Sequence, residues 1–199
     1  NTIDDLIYLK QQGIEKAILS SHKKGSLVMG ICGGFQMLGN IIRDPQNVES
    51  KNSESKGLGL FDLETTFDSE KKTRQVELST VESSIFKGGL TCNGYEIHMG
   101  RTTFKTPYCS LFTSPEDENP MNFGIINQEG TVLGTYLHGF MDNNLFRQAL
   151  LCYIREQRNV NKPSKAFDFN EFRQNELDRV SDLLTDTVNM KEISKIIGI

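Results

Sequence analysis

The sequence predicts an α/β layered fold built on a mixed sheet. Three observations carry that expectation. A short apolar stretch, Ser26 to Ile31, runs into a glycine-flanked turn and then into a helical pattern. Helical patterns stand on both sides of this unit along the chain. From Leu58 onward the texture becomes β-rich, which favours a mixed sheet over a purely parallel one.

Each element follows from local chemistry. Thr2 to Gln12 reads as a helix, with Thr2 as cap, Asp4 and Asp5 in the first turn, and Gly13 as stop. Ile14 to Lys24 is a second helix, closed by Gly25. Ser26 to Ile31 is the strand, and Phe35, Met37 and Leu38 continue as a helix to about Asn40. Asp44 to Lys56 is polar and poor in apolar residues, so it is expected to be a surface loop. Leu60 to Phe67, Arg74 to Thr80, Tyr95 to Phe104, Ser110 to Thr113, Phe123 to Asn127 and Thr131 to Leu137 fit strands. Gln128-Glu129-Gly130 joins the last two as a hairpin. Asn144 to Arg158 is an amphipathic helix, and Asn159 to Lys165, with Pro163, is a linker. Asp168 caps a helix that places Phe172, Val180, Leu183, Leu184 and Val188 on one stripe, and a short helix starts at Met190. The segment from Asp168 onward is expected to be a helical appendage.

Bulk properties narrow the function. A chain of 199 residues buries a sizeable core and is expected to form one domain with an appendage. Charge is mixed, with a net value of -4, which argues against nucleic acid or an anionic membrane as partner. No apolar run approaches the ~20 residues of a spanning helix, and no signal peptide is evident. Cys32, Cys92, Cys109 and Cys152 form no C-x-x-C pair and no zinc spacing, so reduced thiols, a cytoplasmic location and no metal are expected. The chain opens at Asn1 without methionine and enters a helix at once, so a fragment is expected.

The chemistry centres on Gly30-Ile31-Cys32-Gly33-Gly34, the thiol form of the G-x-S-x-G nucleophile elbow. A lone buried cysteine is more often an inert small hydrophobe. Flanking glycines reverse that balance, because a sharp strand-to-helix turn projects the sulfur outward. The following helix N-terminus is expected to favour the thiolate. A base is needed. His138 closes Gly134-Thr135-Tyr136-Leu137-His138-Gly139, at the carboxyl end of a strand, where ligands collect in α/β sheets. His98 shares a strand face with Glu96, and His22 lies beside Lys23 and Lys24 in a helix. Glu96 is either an ion-pair partner of Arg101 or a carboxylate that orients a histidine. The N–H of Gly33 supplies one oxyanion donor, and a second is expected from a glycine-containing loop upstream of Asn1. For Cys92, Cys109 and Cys152 a structural role is expected.

The run Gly30-Ile31-Cys32-Gly33-Gly34-Phe35-Gln36-Met37-Leu38-Gly39 resembles the nucleophile motif of class I (triad-type) glutamine amidotransferases. Within that class, Asn1 to Leu6, Gly94 to Thr102, Gly134 to Gly139 and the tail Asp168 to Leu184 are similar to the cobyric acid synthase family. The resemblance implies a flavodoxin-like class I fold over residues 1–160, lacking its first strand and loop, with a helical extension over 161–199. It implies that Cys32 attacks the side-chain amide of glutamine, that His138 is the base, and that Gly34 and Gln36 hold the substrate. It further implies an absent N-terminal domain that binds ATP, Mg²⁺ and a corrinoid and uses the ammonia to amidate carboxylates in adenosylcobalamin synthesis. No cofactor is then expected in this domain, and no Gly-x4-Gly-Lys-Ser/Thr loop occurs in the chain. One position departs from the family: Phe140 stands two after His138, where triad enzymes carry Glu. Cys32 and His138 then act as a dyad, or Glu96, with Asp142 behind it, orients the histidine. Two other readings stay open. One is the glutaminase part of cobyrinic acid a,c-diamide synthase or of a peptidoglycan-precursor amidating ligase. The other is a non-catalytic binding module of the same fold.

Overall fold

The computed structural model describes residues 1–114, 123–161 and 167–198. The chain divides into two units, Asn1–Lys162 and Pro163–Ile199. The first opens with helices α1 (Thr2–Gln11) and α2 (Ile14–Lys23). The cap of α1 is Asn1, whose side chain accepts the N–H of Asp4; Thr2, expected in that role, is the first helical residue. Gly13, in the left-handed region, separates the two helices.

Among the described residues, two sheets form the β layers. In the first, β1 (Val28–Ile31) runs parallel to β9 (Val132–Thr135), which pairs antiparallel with β8 (Gly124–Ile126), which in turn pairs with β6 (Cys109–Ser110). The β8–β9 hairpin turns at Gly130, as its sequence predicts. In the second, β10 (Leu137–His138), β5 (Thr91–Phe104), β4 (Leu63–Thr80), β2 (Ile41–Arg43) and β3 (Glu54–Lys56) follow in that order, and β7 (Phe112–Thr113) pairs with β4. Mixed pairing within an α/β frame agrees with the predicted fold class.

Several boundaries differ from expectation for one reason: strands change partners. The stretch 131–137 is not one strand. It serves β9 in the first sheet, bends at Tyr136, and enters the second as β10. Ser110 to Thr113 likewise splits between β6 and β7. The two strands expected at Leu60–Phe67 and Arg74–Thr80 are one, β4, whose pairing with β5 shifts register between Thr66 and Lys71. Gly100 of β5 lies opposite that irregularity with φ 86°, a conformation that a side chain would strain. The expected loop 44–56 contributes β3, and its Asp44 is fully buried.

Helix α3 (Gly33–Met37) packs Phe35 and Leu38 against Tyr136, Ile125 and Val132. Ile3 and Leu6 of α1 pack with Ile42, Phe67 and Met37. Helix α4 (Asn144–Gln157) sends Phe146 and Leu150 into a cluster with Phe86, Phe112 and Phe140. In the second unit, α5 (Phe169–Thr187) is capped as predicted: the Asp168 carboxylate accepts the N–H groups of Asn170 and Glu171. Helix α6 (Met190–Ile197) follows. The linker expected around Pro163 falls outside the described residues.

Candidate active site

Cys32 is the first residue after β1. It takes φ 51°, ψ -114°, a conformation that L side chains rarely adopt and that costs about 1–3 kcal/mol. Two anchors hold it there. Its N–H donates to the Thr135 carbonyl at 2.8 Å, and its carbonyl accepts the N–H of Gln36 at 3.2 Å. Gly30 makes the turn possible: a Cβ at that position would lie 2.6 Å from the Gly34 carbonyl oxygen. Beside Gly34 a built Cβ meets no heavy atom within 4 Å, so space is open next to the nucleophile. Gly33 backs onto the Thr2 side chain.

The sulfur is half-buried and donates weakly to the Ile97 carbonyl at 3.3 Å. Burial pushes the thiol pKa above its ordinary value. The N–H of Gly33 opposes that shift, and the negative charge of Glu49 adds to it. The expected bias toward thiolate is therefore absent in the free protein. The reason is structural: the sulfur is half-buried, and the Glu49 carboxylate adds to the effect of burial.

His138 reaches the same region by topology. Ile31 registers with Thr135 in the parallel β1–β9 pair, and His138 lies three residues beyond Thr135. Both residues therefore emerge at carboxyl ends of neighbouring strands. Both also meet β5: the sulfur at Ile97, and His138 as the register partner of Tyr95, two residues away. The His138 ring stacks on Tyr95 (5.3 Å between centroids, 6° between planes), and its Nε2 is buried without a partner.

Glu96 goes elsewhere. It registers with Leu137, so its side chain and that of His138 lie on opposite faces of the β5–β10 pair. Its carboxylate accepts from His98 Nε2 at 2.7 Å and from Arg74 Nε at 2.6 Å. The orienting role expected for Glu96 toward His138 is corrected to one toward His98, and its ion-pair partner is Arg74, not Arg101. Burial opposes ionisation of Glu96, but the bonds from His98 and Arg74 outweigh it and hold the carboxyl below its ordinary range. Phe140 is buried against Phe146, so the position two after His138 belongs to the core. Among the described residues, no hydrogen bond joins Asp142 to His138.

Gln36 is buried, and its amide donates to the Met99 carbonyl at 3.0 Å. It ties α3 to β5. Sequence reasoning missed Glu49, Ile97, Tyr136 and Arg74. Glu49 is placed by Asp44, whose carboxylate accepts the N–H groups of Val48, Glu49 and Ser50 and so fixes the loop that carries Glu49. Cys92 is fully buried, and burial pushes its thiol up to about 12. Among the described residues, no group of three His, Cys, Asp or Glu side chains is placed to hold a metal ion.

A cysteine in a strained elbow, a histidine three residues beyond the end of the adjoining strand and a glycine N–H on the sulfur suit acyl transfer from an amide. The family model of the CobB/CobQ-like glutamine amidotransferase domain matches residues 1–146. A cobyric acid synthase of Dehalococcoides mccartyi is 39% identical over 203 residues, covering 100% of this chain and 40% of that protein. One from Clostridium tetani is 37% identical over 201 residues, covering 100% of this chain and 39% of that protein. The chain thus spans about two fifths of the length of the curated relatives it matches. A chain in the structure of PurLQS from Thermotoga maritima shares the fold, with TM-score 0.51 and 20% identity over 71% of this chain and 68% of that one. With its elbow, its sheet order and its sequence in accord, the chain belongs to the CobB/CobQ-like glutamine amidotransferase family.

Proposed function

We propose that this chain is the glutaminase part of a cobyric acid synthase, releasing ammonia from glutamine at Cys32. The observation that carries the reading is the elbow itself: a non-glycine residue at φ 51°, pinned to Thr135 on the strand that leads into His138. Such strain persists where the surrounding fold enforces it, and it clusters at reacting centres.

The steps follow from the residues. His138 takes the proton of Cys32, which offsets the burial that disfavours the lone thiolate. The sulfur attacks the side-chain carbonyl carbon of glutamine, and the N–H of Gly33 stabilises the oxyanion. The imidazolium gives its proton to the departing nitrogen, and ammonia leaves. Water, deprotonated by His138, then hydrolyses the glutamyl thioester and restores the thiol. The open space beside Gly34 suits the substrate, and Gln36 shapes the wall by holding β5. Cys32 and His138 work as a dyad, because Glu96 is committed to His98 and Arg74.

ATP and Mg²⁺ act outside this chain, in the remaining length that the relatives possess, where a corrinoid carboxylate is activated to receive the ammonia. A second oxyanion donor comes from a strand and loop beside β1, whose outer edge has no strand partner among the described residues and whose Met29 and Ile31 are 36% and 39% exposed.

Mass spectrometry after treatment with a glutamine-like diazoketone tests the reading. One adduct on Cys32 is expected, lost in Cys32→Ser. Absence of an adduct in the full-length protein removes the nucleophile. In steady-state assays, His138→Ala is expected to lower kcat for glutamine hydrolysis by about 10²-fold or more.

A further inference from the structure

The glutaminase steps leave a charged group unused. Glu96 is 0% exposed and His98 is 7% exposed, and the Glu96 carboxylate accepts a hydrogen bond from His98 Nε2 inside the fold. A buried pair of this kind is seldom a net gain in stability over packed hydrophobic side chains. The cost here is higher still, because His98 Nδ1 is buried with no partner. A cost of this sort calls for a use.

The position of the pair supplies one. Glu96 and His98 flank Ile97, whose carbonyl meets the Cys32 sulfur, and the next carbonyl of like orientation, that of Met99, receives the Gln36 amide. The 97–99 stretch is thus the wall of the space around the nucleophile. Its own ladder is incomplete. On one side β10 pairs only with Tyr95 and Glu96. On the other, pairing with β4 slips just past Met99, opposite Gly100. Ile97, His98 and Met99 pair in register with Thr73, Lys72 and Lys71 of β4, so the segment is held on one edge only and ends at a bulge, and it needs another restraint on its open edge.

The pair provides that restraint in two directions. Through Arg74, Glu96 fastens β5 to β4. The His98 ring lies flat on Tyr136, 3.8 Å between centroids and 17° between planes. Tyr136 adjoins Thr135, whose carbonyl holds the N–H of Cys32. One imidazole therefore joins the wall of the site to the anchor of the nucleophile. The cleft beside His98, shared with Lys72, Arg101 and Tyr136, has about 40 Å³. Ligand pockets usually run from about 300 Å³, so the pair does not itself face an amino acid.

We propose that Glu96 and His98 are positioning residues for glutamine: they set the Ile97–Met99 main chain against Cys32 and Gln36, and they act on substrate binding and not on the thiol. This rests on the glutaminase reading. In the full-length protein, His98→Ala and Glu96→Ala are expected to raise KM for glutamine about tenfold, with a smaller change in kcat. The rate at which iodoacetamide, a small neutral reagent, alkylates Cys32 is expected to stay within about twofold of wild type, since it needs no wall. His98→Gln keeps an N–H for Glu96 and is expected to bring KM to within about threefold of wild type. Glu96→Gln, which keeps the shape of the carboxylate, serves where an alanine variant fails to fold. An unchanged KM in the variants overturns the proposal. So does a parallel loss of iodoacetamide and glutamine reactivity, or a His98→Gln variant as defective as His98→Ala. Wild-type protein that the diazoketone does not label removes the glutaminase reading and this proposal together, whereas labelled wild type with unaffected variants removes the proposal alone.

Discussion

At Cys32, backbone strain and thiol chemistry pull in different directions. The elbow exposes the sulfur to a substrate, yet burial and the charge of Glu49 favour the protonated thiol. Alkylation of Cys32 by iodoacetamide in the free protein is therefore expected to rise with pH toward a midpoint above 9.0, the value of an ordinary thiol. Glu49→Gln removes a negative charge, stabilises the thiolate, and is expected to move that midpoint down. A midpoint unmoved by this change would show that burial alone sets the thiol. Glu49 lies in a stretch that reads as an ordinary polar loop. Its influence depends on Asp44 folding that loop back toward α1, where Glu49 also accepts the N–H of Thr2. No local pattern encodes that return.

At the level of elements, β5 matters most. It meets β4 along its length, and β10 crosses it so closely at Gly94 that a Cβ there would fall on the His138 carbonyl. That oxygen belongs to the main chain, so it does not yield easily. Gly94→Ala is expected to displace His138 and cost about 1–3 kcal/mol of stability, read from urea denaturation. Glutamine turnover is expected to fall by about tenfold or more, while iodoacetamide still reaches Cys32. Helix α5 gives a simpler case, because its cap is local. Asp168→Ala is expected to weaken the first turn by about 1 kcal/mol. Amide exchange at Asn170 and Glu171 reports that loss directly, as both N–H groups give up their acceptor.

For the molecule as a whole, buried carboxylates set the acid limit. Asp44 and Glu96 are fully buried, and each is held below its ordinary range by hydrogen bonds that outweigh burial. A carboxyl whose folded pKa is depressed adds stability above its unfolded value, and that share is lost as pH falls through the folded one. Stability is therefore expected to decline once pH drops below the ordinary values of 4.5 for Glu96 and 3.8 for Asp44. The urea midpoint compared at pH 7 and pH 3 measures the decline. In Glu96→Gln the difference between the two is expected to shrink, and an identical difference would show that Glu96 adds nothing to the acid response.

Local signals sufficed for the elbow, for His138 at a strand end and for the cap at Asp168, because each depends on residues within one turn or one strand. The α/β class also followed from pattern alone, since helical and alternating periods differ. Partner choice was another matter. Whether Glu96 meets His98, His138, Arg74 or Arg101 depends on the register between strands and on which face each side chain takes. The bend at Tyr136, which carries one stretch from the first sheet into the second, leaves no compositional trace either. A sequence names the groups able to react, but long-range pairing assigns their neighbours, because register and facing arise only when distant strands are brought side by side.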